Sequence, residues 1–198
     1  MTGTWHTPAP RFDCGHLCLD FLTTTHPEEQ LDTPTGLRTW ITAAHLVPET
    51  TPSTTSPPLA GRLQRTPRPH RPVGAPHPRP RPGPRAVDIS LARVNDLARA
   101  ATPALRAVRA PDGTLTRALD RVPECAALLA VLARDTVELL TDPVACASLR
   151  QCAGDNCPVV YVDTSRGRRR RWCSSEICGN RERVARHRRR ADLARARA

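Results

Sequence analysis

CAGDNCPVVYVDTSRGRRRRWCSSEIC, residues 152–178, is the stretch that decides how the C-terminal end of this chain folds. It holds two Cys-x4-Cys pairs, Cys152/Cys157 and Cys173/Cys178, with fifteen residues between them. Each pair can close a tight knuckle, and two knuckles can meet at one tetrahedral ion. One structural Zn2+ suits an all-thiolate set; an iron–sulfur cluster shares the ligands, and four free buried thiols are the plain alternative. A site closed by four thiolates has no open position for catalysis, and no nucleophile and base stand at motif spacing elsewhere. An enzyme is therefore not expected.

Between the pairs, Val159, Val160, Tyr161 and Val162 are strand formers. They are followed by turn-like Asp163 to Gly167 and an arm, Arg168 to Trp172, which predicts a hairpin returning the second pair to the first. Ser174 or Ser175 can cap a helix that has Glu176 in its first turn and runs to about Ala196. Knuckle, hairpin and helix together predict a treble clef over 149–198. So small a unit has little core of its own, and a structural zinc supplies roughly 10 to 16 kcal/mol of apparent folding energy.

Working outward, this segment is also where the charge sits. The chain of 198 residues carries a net +11, and all 30 of its basic residues are Arg. Residues 150–198 account for +9 and 62–85 for +7, whereas 1–61 and 86–149 come to −4 and −1. Counting 100° per residue from Arg181, Arg183, Arg186 and Arg190 fall within about 60° of one another on a helix face, and Ile177, Val184 and Ala191 gather opposite, as a packing face; Arg181, at the start of the helix, is a further candidate contact. The arm adds Arg168, Arg169, Arg170 and Arg171, while Trp172 is expected to pack beside the metal. Guanidinium forks bond phosphate oxygens or a guanine edge bidentately, which makes DNA the leading partner. RNA or a ribosome is the runner-up, and a protein-interaction scaffold is the third reading.

The remainder predicts an α+β, mostly helical protein. Phe12 to Leu22 is an apolar patch that fits a short strand or a turn of helix. Thr35 to Leu46 predicts a helix closed by Pro48. Residues 48–86 are Pro- and Arg-rich, with 12 Pro in 48–85, and predict a disordered linker. Ile89 to Ala101 predicts an amphipathic helix capped by Asp88 or Ser90. Leu105 to Val108 and Leu115 to Leu119 flank Pro111-Asp112-Gly113, a hairpin signal. Pro123, at a first helical position, opens the strongest helix, which ends near Asp142-Pro143. The domains are then 1–47 and 87–148, the two parts of a helical N-terminal domain, the 48–86 linker between them, and 149–198. Cys14, Cys18, Cys125 and Cys146 are expected to pack as small apolar thiols. The longest apolar run, Ala126 to Ala133, is far below the ~18 residues a membrane span needs. No export signal is seen at the start, and a cytoplasmic location is expected.

Arg171-Trp172-Cys173 and Cys178-Gly179-Asn180-Arg181, with Cys152, Cys157, Asp163, Ser165 and Arg186-His187-Arg188, resemble the bacterial CGNR zinc finger over about 150–190. That resemblance implies zinc ligation by Cys152, Cys157, Cys173 and Cys178. It also implies a preceding ABATE domain that senses an unidentified small molecule, and a role in stress-related transcription regulation. At the finger, Gly179 is expected to allow close backbone approach beside the knuckle and Asn180 to tie the turn by hydrogen bonds. Leu19-Asp20-Phe21-Leu22-Thr23-Thr24 resembles the family's Leu-Asp-Phe-x-Asn-Thr segment without its Asn, and Leu37 to Leu46 resembles the Trp-containing helix that follows. The family's helix before the one containing Asn95 is replaced by the Pro/Arg stretch. A GC-rich gene read out of frame yields such runs, so residues 48–85 read as a linker or as a frame-shifted or decayed helix.

Overall fold

The computed structural model describes residues 9–48 and 84–195, so the Pro/Arg stretch lies outside the described residues except at its two ends. Along the chain come α1 (Leu17–Thr23), α2 (Pro34–Ala43), α3 (Pro84–Ala98), β1 (Leu105–Arg109), β2 (Leu115–Leu119), α4 (Cys125–Thr141) and α5 (Pro143–Ala147). They are followed by β3 (Leu149–Gln151), β4 (Val160–Val162), a π-helical turn (Ser175–Gly179) and α6 (Asn180–Arg195). The fold is α+β and mostly helical, as the sequence predicts. No described helix is long and apolar enough to cross a membrane.

Helix α4 organises the interior because its apolar residues serve two clusters. Leu128 and Leu132 join Leu31, Leu37, Trp40, Ile41, Leu46, Val47 and Leu119 in the first. One turn and more further on, Leu139 joins Cys14, Leu19, Ala145, Tyr161, Val162 and the four cysteines of the C-terminal region in the second. Trp40 anchors the first cluster, with Phe21 edge-on at 5.4 Å and Phe12 tilted at 5.8 Å. Helix α3 packs along α4 without burying a residue. Arg134 fastens its end by donating to the carbonyls of Ala98 and Ala100 at 3.0 Å.

Helix boundaries follow their caps. Thr33 accepts from Gly36 N at 3.0 Å, Pro34 takes the first helical position, and α2 ends before His45, which has φ 55°. Pro48 is therefore not its terminator. Helix α3 begins at Pro84, which places Asp88 and Ser90 inside it; Ser90 Oγ donates to the Ala86 carbonyl at 2.9 Å and caps nothing. Glu124 is the cap residue of α4, so Pro123 precedes the cap and is not at the first helical position. The apolar patch near the start resolves as helix α1, whose amino end is capped from α4: Cys18 N donates to Asp135 Oδ2 at 2.7 Å. The β1–β2 hairpin forms as predicted, in register Leu105↔Leu119 to Arg109↔Leu115, with Gly113 at φ 87° in the turn.

The C-terminal hairpin differs from expectation. Strand β4 pairs with β3, in register Leu149↔Val162 to Gln151↔Val160, and Arg168 to Trp172 is not a strand. Two contacts account for this. The opposite edge of β4 is taken by the N-terminal segment, Val162 N donating to Cys14 O at 2.8 Å. The Asp163 carboxylate gathers the following loop by accepting from Ser165 N, Ser165 Oγ and Arg170 N. The strand–turn–strand that a treble clef would place between the two Cys pairs is absent.

Candidate metal centre

Extension of the β3–β4 ladder brings the first pair to its place: Cys152 N donates to Val159 O at 2.9 Å, and the Cys152–Cys157 knuckle is the tip of that hairpin. Asn156, at φ 58°, lets the chain turn back before Cys157. The second pair lies after the Asp163 loop. There Ser174 Oγ accepts from Glu176 N and Ile177 N at 3.2 Å and starts the π-helical turn that holds Cys178. The Sγ atoms of Cys152, Cys157, Cys173 and Cys178 all lie within 4.8 Å of one another, and all four residues are buried.

The separations discriminate between uses. Cys157 Sγ is 3.8 Å from Cys173 Sγ, which in turn is 3.7 Å from Cys178 Sγ. Sulfurs around a tetrahedral Zn2+ at ~2.3 Å stand ~3.8 Å apart, far beyond a disulfide's ~2 Å. Amide N–H groups of Gly154 and Cys173 approach Cys152 Sγ at 3.4 and 3.3 Å, as suits a thiolate. Hydrogen bonding from Cys157, and then Arg11, pulls the Cys173 thiol toward its thiolate form. The donor set and its spacing fit one structural zinc ion.

A glycine the sequence reading passed over makes this closure feasible. A Cβ on Gly154 would stand 3.2 Å from Cys178 Cβ and 3.3 Å from its Sγ. At Gly179 the same atom would meet only ordinary contacts of 3.5 Å or more, so the close approach assigned to Gly179 belongs to Gly154. The Asn180 side chain is exposed and makes no hydrogen bond among the described residues, so it does not tie the turn. Trp172 packs against the cysteine cluster, as expected.

The arginines proposed from sequence are unlike one another in the fold. Arg168, Arg169, Arg171, Arg181, Arg183, Arg186 and Arg190 are exposed. Arg170 is engaged internally: Nε donates to Trp172 O, Nη1 to Asp13 O and Nη2 to Cys173 O, and its guanidinium lies 4.4 Å over the Tyr161 ring. Arg171 stacks 5.1 Å from Trp172. Ile177 and Val184 are exposed and α6 buries no residue, so the expected packing face of that helix is open. Helix α6 is thus a 16-residue basic helix with no buried residue.

On the N-terminal side, Asp13, Cys14 and Asp20 also bring ligand atoms within 4.8 Å. Here an internal bond explains the grouping, since Cys14 N donates to Asp20 Oδ1 at 2.9 Å, and burial pushes the Asp20 carboxyl up to about 6. Cys14 is buried as an apolar thiol, and burial likewise pushes the Cys18 thiol up to about 12. Gly15, His16, Asp142, Val144, Asp163 and Arg168 line a cleft of about 340 Å³ on the seam between this segment and the cysteine region.

Comparison with known families adds to this geometry. The family model of the CGNR zinc finger matches residues 148–191, which contain all four cysteines. The model named ABATE, described as "Putative stress-induced transcription regulator", matches residues 15–143. No curated protein matches the chain. Since that second match spans well over half of the 198 residues, the chain belongs to the ABATE family, with a CGNR zinc finger at its C-terminal end.

Proposed function

We propose that this protein is a non-enzymatic, zinc-dependent DNA-binding transcription regulator whose N-terminal ABATE region tunes binding in response to a small ligand. The observation that carries the reading is α6, which exposes Arg181, Arg183, Arg186 and Arg190 and has no face committed to the core. A projecting basic helix stapled to a metal knuckle is suited to a duplex, with guanidinium groups on phosphates and a few side chains on base edges. Exposed Arg168, Arg169 and Arg171 extend the positive surface. Arg170 is left out of it because its guanidinium serves the fold. The seam cleft offers room for a small ligand between the two matched regions. Selection from fragmented genomic DNA with zinc-loaded full-length protein at near-physiological salt tests the reading, with Cys173→Ser as control. Recovery of a few shared sites, lost in the mutant, supports it. Enrichment of nothing, or preference for structured RNA over duplex DNA at equal salt, overturns it.

A further inference from the structure

Four thiolates around a divalent ion leave two net negative charges, and here the sulfurs that hold them are buried. A buried charge is costly unless it is compensated close by. Two guanidinium groups stand in position to do this, and both donate to the carbonyl of the same ligand, Cys173. Arg170 comes from the finger. Arg11 comes from 162 residues away along the chain, with Nη2 at 3.2 Å. Asp13 takes the same Arg11 nitrogen at 3.0 Å but is the more exposed partner, so water screens its charge more. Arg11 Nε is buried and has no acceptor among the described residues, which leaves one of its donors unused. Arg11 lies outside both matched stretches.

We propose that Arg11 is a positioning residue of the metal centre. Together with Arg170 it supplies the counter-charge of the loaded site, so that zinc binding is the event that docks residues 11–24 onto the finger. The surrounding contacts belong to the same seam: Val162 N donates to Cys14 O, Arg170 Nη1 donates to Asp13 O, and Cys14 and Leu19 share a hydrophobic cluster with the four cysteines. Helix α1 begins three residues after Cys14, so the metal site reaches directly into the region that the ABATE match begins with. By thermodynamic reciprocity, whatever displaces this segment must also weaken zinc binding.

The test is zinc affinity of the full chain, measured by competition with a chromogenic chelator. It is paired with hydrogen exchange at residues 11–24 in the zinc-loaded and chelated states. Partners of this kind affect metal affinity by about 10- to 100-fold. Arg11→Met is expected to weaken zinc binding to that extent, Arg11→Lys to recover most of the loss because it restores the charge, and Arg99→Met, at an exposed pair with Asp96, to match wild type. In the wild-type chain, chelation is expected to release exchange protection at 11–24. Wild-type affinity in Arg11→Met, or equal losses in the Lys and Met variants, would overturn the proposal. Should Arg11→Met not fold, unchanged protection at 11–24 after chelation of the wild-type chain would do the same. No readout involves nucleic acid, so this inference and the DNA-binding reading fail independently.

Discussion

A Cβ at Gly36 would stand 2.1 Å from the Gln30 carbonyl oxygen, which is backbone and cannot swing aside. Gly36→Ala must therefore push the loop before α2 off its place, at a cost of about 1 to 3 kcal/mol, visible as a lower denaturation midpoint at unchanged slope. Gly154→Ala acts at the metal instead: its Cβ would press on Cys178, so zinc should be released faster to a chelator while the Trp40 core stays intact. Asp20 titrates in the opposite sense to a salt-bridged acid. Burial raises its folded pKa to about 6, above the unfolded value, so the folded state binds the extra proton between the two. Its contribution is complete below the unfolded pKa and is lost as pH rises through about 6. Asp20→Asn, which keeps an oxygen for Cys14 N, should accordingly gain stability relative to wild type on going from pH 4.5 to 7.5 in urea melts. No gain across that interval would contradict the burial argument. At this scale the four zinc ligands were legible, because ligand spacing is local. The role of Gly154 was not, because what crowds it is Cys178, 24 residues on.

Among the elements, α6 gives the sharpest expectation. Arg183, Arg186 and Arg190 are exposed, and Ala is the better helix former, so replacing all three with Ala should leave helix content unchanged by circular dichroism. If these side chains neutralise phosphates, the slope of log affinity against log salt should fall by up to about three. An unchanged slope would place binding elsewhere. Caps and turns read well from sequence where they are made locally, as in the Pro111-Asp112-Gly113 turn and the Ser174 cap. They read poorly where the partner is remote: α1 has its amino end capped by Asp135 of α4, and Asp88 was assigned a cap that the earlier start of α3 makes unnecessary. The arm Arg168 to Trp172 has an adequate strand pattern. It is not a strand because Cys14 already occupies the free edge of β4.

For the molecule as a whole, two hydrophobic clusters lie along α4, and the four cysteines of the metal centre all belong to the second. Chelation should therefore strip exchange protection from 149–179 while Leu37, Trp40 and Ile41 retain theirs. Simultaneous loss across both clusters would mean that α4 fuses them into one cooperative unit. The sequence by itself determined the zinc ligands, the β1–β2 hairpin and the helices with local caps, the Arg-rich end of the chain and the family resemblance, since each is written in residues a few positions apart. Only the tertiary structure decided that the finger is built against Arg11 to Leu19, that Arg170 belongs to the fold while its neighbours stay exposed, and that α6 buries none of its residues. Those outcomes depend on which distant strand edge, carbonyl or charge arrives first beside a residue, and no local periodicity encodes that.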